Sequence, residues 1–169
     1  IFFGPEDLNL VKGPPAQRRE FLDKAIWIHH FPYADLLRRY ATSLKTRNRL
    51  LRESRQGLPP TRELMSTYEE ELARYASQIV NYRMRYLKDY APVLVSLVAQ
   101  HTVGHLSLSV NYNSTLLPSG ESSDVSDLYR RYVELLESSR RNDIETGTTS
   151  VGPHHDDLEF SLNGHPARF

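Results

Sequence analysis

Apolar positions in this chain recur mostly at helical spacing, with alternation confined to short stretches. Phe21, Leu22, Ala25 and Ile26 form one helical face out to about Ile28, flanked or opposed by Arg18 and Arg19. Pro14-Pro15 suits the start of that helix, because the missing proline N–H has no partner to lose in a first turn. Pro32 restarts the pattern: Tyr33, Leu37, Tyr40, Leu44 and Leu51 are spaced 4, 3, 4 and 7, with Arg38, Arg39, Arg47, Arg49 and Arg52 around them. This predicts a heptad-like helix with one sticky seam. The stretch ESRQGLPP at 53–60 ends it, and Thr61 is placed to cap the next.

Leu64, Tyr68, Leu72, Tyr75, Ile79, Tyr82, Tyr86 and Tyr90 repeat that seam in aromatic form. Residues 33–90 therefore read as an antiparallel helical hairpin held by Tyr40, Leu44, Tyr75, Ile79 and Tyr82. Its second helix would be roughly 43 Å long at 1.5 Å per residue, enough to project as an arm. Pro92 is expected to kink or stop that helix before the apolar stretch Val93 to Ala99, which itself reads as helix. Leu106, Leu108, Val110 and Tyr112 alternate with polar residues, as in a half-buried strand, and 113–123 reads as loop. Val125, Leu128, Tyr129, Tyr132, Val133 and Leu136 define a last helix ending before Gly147. Residues 158–169 follow as a hairpin turning at Asn163-Gly164, and Ile1 to Phe3 reads as the end of a buried strand stopped by Gly4-Pro5. The expected fold is mainly α with a few strands, an α+β lobe spanning 1–169 as one unit.

The length of 169 residues, 39% of them hydrophobic and 25% charged, supports one core. Acidic and basic residues balance at 21 each, so any nucleic-acid partner must be argued from local clusters. Four of the basic residues are lysines and seventeen arginines, a bias that suits forked contacts to phosphate or carboxylate and also fits genome composition. The absence of cysteine removes disulfides, thiolate catalysis and Cys-based metal sites, and fits a reducing, cytoplasmic setting. No apolar run is long enough to span a bilayer, and the N-terminus lacks signal-peptide marks, so no membrane partner is expected. An opening at Ile1 without Met and an end at Phe169 on a strand-like stretch read as the edges of a piece of something longer.

Catalytic motifs are missing. No glycine is followed by lysine, so there is no Walker A loop, nor is there a G-x-G-x-x-G or a G-x-S-x-G. The chain by itself is expected to hydrolyse no ATP. His154-His155-Asp156-Asp157 and the pair His101 and His105 are the densest metal-capable groups. Adjacent side chains cannot all reach one ion, and the pair lacks the glutamate of a zinc helix, so both read as structural and no metal is expected. His29-His30 reads as a helix end. Arg38, Arg39, Arg47, Arg49, Arg52 and Arg55 fit phosphate contacts and a solvated Glu-paired face equally well. The tyrosine seam can stack bases in principle, but heptad spacing favours helix packing.

The stretch Pro5-Glu6-Asp7-Leu8-Asn9-Leu10-Val11-Lys12-Gly13, followed by Arg18-Arg19-Glu20-Phe21-Leu22-Asp23, closely resembles the N-terminal signature of the RecF family of bacterial recombination-mediator ATPases. Arg47-Asn48-x-Leu50-Leu51, Val151-Gly152-Pro153-His154-x-Asp156-Asp157-Leu158 and Asn163-Gly164 agree with it. The resemblance spans nearly the whole chain, with His155 standing where the family usually has arginine. It implies the helical second lobe of an SMC-like ABC-type ATPase head, with Walker A before Ile1 and the ABC signature and Walker B after Phe169. ATP and Mg²⁺ would belong to the whole protein, which would dimerise with ATP, bind DNA at single-strand to double-strand junctions, and work with RecO and RecR to load RecA.

The same resemblance makes Glu6 and Asp7 candidates for sensing nucleotide, against the plain reading that Asp7 or Asn9 caps a turn. His154, Asp156 and Asp157 become a signature-like loop. Arg18 and Arg19 become candidates for DNA or an interlobe carboxylate, with Arg47, Arg49 and Arg52 as second DNA candidates. The competing class is a helical protein-interaction module without a DNA or nucleotide role.

Overall fold

The computed structural model describes residues 9–102, 106–117 and 124–167. The expected strand at Ile1 to Phe3, the candidates Glu6 and Asp7, and His105 lie outside them. A four-residue turn of helix, α1 (Asn9–Lys12), leads into α2 (Pro15–His29), which begins on proline as expected. α3 (Pro32–Arg55) and α4 (Arg62–His101) form the hairpin, with Gly57 in a left-handed conformation at the turn and Thr61 Oγ1 accepting from Leu64 N at 3.2 Å. Then come β1 (Leu108–Asn113), α5 (Val125–Thr146), β2 (Asp157–Leu162) and β3 (His165–Pro166).

The antiparallel sheet has the order β1-β2-β3, with Val110 opposite Phe160 and Tyr112 opposite Leu158. Asn163 and Gly164 both take positive φ, 50° and 79°, the geometry that makes Asn-Gly favourable in a two-residue hairpin. The fold is thus α+β, a helical body carrying one small sheet.

The helix boundaries differ from expectation at Pro92, where α4 runs on without a break to His101. Proline removes one backbone bond and crowds the preceding turn. Here it sits on an exposed face, so the carbonyl it orphans is open to solvent. The hairpin is also not a bare arm, because α5 lies along both α3 and α4, joined to them by Arg140 to Glu69 and by Arg47 to Asp143.

That third helix rotates the buried face of α4. Its core row is Met65, Leu72, Ala73, Ala76, Ile79 and Val80, while Tyr75, Tyr82 and Tyr86 are half-buried flanks and Leu64 and Tyr90 are exposed. Small Ala73, Ala76 and Ser77 let α3 and α5 approach together, which an aromatic centre line would prevent. On α2 the buried row is Arg18, Leu22 and Ile26, so Phe21 points outward.

Candidate functional site

Each long helix carries a charged or polar residue in the middle of its buried row. Arg18 precedes Leu22 by one turn on α2, Arg47 continues Tyr33, Leu36, Tyr40 and Ser43 on α3, and Glu69 and Arg83 interrupt the row of α4. Asp143 ends the row Leu128, Tyr132 and Leu136 on α5. A buried guanidinium without partners would cost several kcal/mol, so these groups must find one another. They do so around a single segment, residues 147–157, between α5 and β2.

Arg47 is fully buried and donates to Asp143 Oδ2 and Thr149 Oγ1, both at 2.8 Å, and to Glu69 Oε1 at 3.0 Å. Arg140 shares the Glu69 carboxylate, its Nε donating to Oε1 at 3.1 Å. Asp143 uses its other oxygen to accept from Ser150 N at 3.0 Å, and Asn48 Oδ1 accepts from both the N–H and the hydroxyl of Thr149, at 2.8 and 2.7 Å. Gly147 sits in the left-handed region (φ 75°), ends α5, and starts the segment on course.

The second half is held from the other side. Arg83 forks onto Asp23 with two bonds of 2.9 Å and donates to Pro153 O at 2.8 Å, while Tyr33 donates to the same Asp23 at 2.6 Å. Arg18 forks onto Asp157 at 2.7 and 3.0 Å, and Arg19 donates to Asp156 O at 2.7 Å. The Tyr112 hydroxyl donates to the Asp156 carboxylate, whose pKa burial raises above the ordinary value. Tyr132 donates to Val151 O at 2.8 Å. The carbonyls of Thr149, Val151, Pro153 and Asp156 each meet a side-chain donor, so helices and sheet together dictate the path of the segment.

His154 is the titratable member of this network. Its Nε2 donates to Thr149 O at 3.2 Å, which leaves Nδ1 to accept from the Tyr40 hydroxyl at 2.6 Å, a neutral tautomer with both nitrogens used. Burial first, and then repulsion from His155, push its pKa down to about 4. The unfolded chain binds the imidazole proton near pH 6.5 and the folded one only near 4. The unfolded state therefore holds more protons within that window, and stability falls by about 3 kcal/mol as pH drops through it. Raised Asp156 works in the opposite sense at the acid end, because its protonation favours the fold. Urea midpoints measured from pH 7 to 4.5 are expected to fall steeply, and His154→Gln to flatten the curve; an equally steep curve in the variant would remove His154 as the cause.

The arginines that sequence offered to DNA thus separate by burial. Arg18 and Arg47 have no surface and are spent on carboxylates of this same chain, and half-buried Arg19 is occupied by a backbone carbonyl. Arg49 and Arg52 stand in solvent, Arg49 3.7 Å from Glu53 and Arg52 reaching Gly147 O at 3.4 Å. With Arg38 and Lys45 they follow spacings of 7, 4 and 3, which puts four exposed cations on one face of α3. Glu69, Asp143, Asp23, Arg83 and Thr149 were missed by sequence reasoning. The signal for Arg47 was there: the step of seven from Leu44 to Leu51 leaves a gap in the seam at that residue.

No family model matches the sequence. Curated relatives do: the DNA replication and repair protein RecF of Pelotomaculum thermopropionicum is 36% identical over 99% of this chain and 46% of its own length. The proteins of the same name from Heliobacterium modesticaldum and Renibacterium salmoninarum are 36% and 34% identical, again over 99% of this chain. The chain spans a little under half the length of each, 44% and 48% respectively. Among solved structures, the recombination mediator protein RecF-ATPrS of the RecFOR pathway superposes with a TM-score of 0.90 at 25% identity, over 98% of this chain and 44% of that one. RecF-ATP superposes at 0.89 with 27% identity.

Proposed function

We propose, starting from a chain homologous to RecF proteins along its whole length, that it serves as the helical lobe of a RecF-type recombination mediator. In this reading the lobe handles DNA for an ATP- and Mg²⁺-dependent ATPase that acts as a dimer with RecO and RecR and promotes RecA loading. The chemistry of ATP hydrolysis belongs elsewhere in such a protein, since this chain carries neither a lysine phosphate loop nor a Walker B strand. The lobe contributes shape and charge.

The observation that carries the DNA part is the exposed row Arg38, Lys45, Arg49 and Arg52 on α3, in a chain of zero net charge whose signature arginines Arg18 and Arg47 are fully buried and Arg19 half-buried. Regularly spaced cations on a helix face can follow a phosphate backbone without reading sequence. The segment 147–157, locked by Arg47 and Arg83, fixes α5 and β2 relative to that row. Arg52 touches its first carbonyl, so segment and row are mechanically joined.

Exposed Phe21, Trp27, Ile28 and Phe31 on and after α2 favour the alternative reading, a protein-interaction module. Charge reversal separates the two. In the full-length protein Lys45→Glu/Arg49→Glu/Arg52→Glu is expected to weaken ATP-dependent binding to a junction duplex at least a hundredfold, with the circular dichroism spectrum unchanged. Undiminished DNA affinity in that variant would leave the interaction module as the better account.

A further inference from the structure

The end of α2 and the middle of α4 enclose a notch that the network around 147–157 does not use. It has a volume of about 370 Å³, within the usual range for small-ligand sites, and is lined by His29, His30, Arg85, Tyr86, Asp89 and Tyr90. Its rings are already ordered as a stack. Tyr86 and Tyr90 lie 4.3 Å apart, centroid to centroid, at an interplanar angle of 20°, and His29 stacks on Tyr90 at 5.8 Å and 26°. Tyr90, the outermost tyrosine, keeps 43% of its surface exposed, and both histidines are exposed among the described residues.

The polar groups of the notch suit one kind of planar ligand. Arg85 is exposed and lines the wall, and it makes no ion pair among the described residues. It places positive charge at the edge of the ring stack, where a sugar-phosphate chain would run. Asp89, on the same wall, offers an acceptor to an exocyclic base amine. Aromatic planes beside cations are the arrangement by which proteins hold unpaired bases, because any base has a π-face to stack while the backbone stays in the positive field.

We propose that this notch takes an unpaired, amino-bearing base of single-stranded nucleic acid, stacked on Tyr90 with its backbone along Arg85. The proposal rests on the DNA-handling reading and adds to it a single-strand site, separate from the α3 row. Duplex DNA keeps its bases stacked internally and gains nothing here, so the two surfaces divide the two halves of a junction between them.

The test uses fluorescence anisotropy of the full-length protein with a labelled twelve-residue deoxycytidine oligonucleotide and an abasic strand of equal length, which keeps the phosphates and lacks the rings. The wild type is expected to bind the cytidine strand about tenfold or more tighter than the abasic one. Tyr90→Ala should remove about tenfold of that affinity and leave abasic and duplex binding unchanged, whereas Tyr90→Phe should keep it. Arg85→Ala should weaken both single strands together. Equal affinity for the two strands, or a Tyr90→Ala variant with the wild-type preference, or no binding of the cytidine strand, would each overturn the proposal. Duplex binding that still falls on reversal of Lys45, Arg49 and Arg52 would show in the same protein that the DNA reading stands without the notch.

Discussion

Arg47→Met is expected to cost the fold about 3–5 kcal/mol, the range for removing one partner from a buried ion network. That is a large share of the roughly 5–15 kcal/mol by which domains of this size are stable. The side chain that leaves is fully buried between Glu69 and Asp143, themselves buried, and its loss strips Asp143 of its ion pair and leaves Glu69 with Arg140. Methionine fills much of the volume, so the loss reports electrostatics more than a cavity. A compensated variant makes that distinction measurable. Adding Glu69→Gln and Asp143→Asn removes the stranded charges while keeping acceptors for Arg140 and Ser150, and is expected to recover more than half of the lost urea midpoint. A triple variant no better than the single one would assign the loss to packing.

Gly152→Ala is expected to damage the fold almost as much, for steric reasons. Gly152 is buried at φ 127°, where side chains other than hydrogen are rarely tolerated, and a methyl group there would lie 2.2 Å from the Tyr132 hydroxyl and 2.7 Å from that of Tyr40. Both hydroxyls are committed, Tyr132 to Val151 O and Tyr40 to His154, so neither can withdraw without breaking a bond of the segment. Backbone strain of about 1–3 kcal/mol and overpacking of similar size add up here. The contrast is Gly164→Ala, where φ is also positive but no atom stands within 4 Å of the added carbon. That variant is expected to lose only the strain. Thermal melts of the two side by side check the assignment, which fails if Gly152→Ala is no more harmful than Gly164→Ala.

Sequence periodicity captured the helices and strands well because each shows an apolar face. The start of α2 at Pro15, the hairpin turn near Gly57, the end of α5 before Gly147 and the Asn163-Gly164 turn all follow from local chemistry that tertiary packing did not override. What periodicity could not supply was which side of a broad apolar stripe is central. On α4 the tyrosines looked like the core line, yet α5 packs along the helix and moves the centre to Leu72, Ala76 and Ile79. Continuity through Pro92 was hidden because proline's local preference argues for a break there, while α4 runs on through it to His101.

The candidate site was half legible. The segment around His154, Asp156 and Asp157 was singled out, and so were Arg18 and Arg47, but as surface residues that could meet phosphate or a carboxylate elsewhere. Their partners come from far along the chain: Arg18 meets Asp157, and Arg47 meets Glu69 and Asp143. No local pattern announces such pairs. A charged residue standing where an apolar stripe should continue does, and Arg47 stands in such a place; Glu69 does not, because the stripe read from the sequence runs past it through Tyr68 and Leu72.

In the proposed function, the buried arginines build the lobe and the exposed row on α3 meets DNA. The most direct measurement is the slope of log affinity against log salt for ATP-dependent DNA binding by the full-length protein, compared with Lys45→Ala/Arg49→Ala/Arg52→Ala. The slope is expected to flatten by about 2–3 in the variant, close to 0.9 for each lost phosphate contact on duplex DNA. An unchanged slope in a variant that folds normally would contradict it.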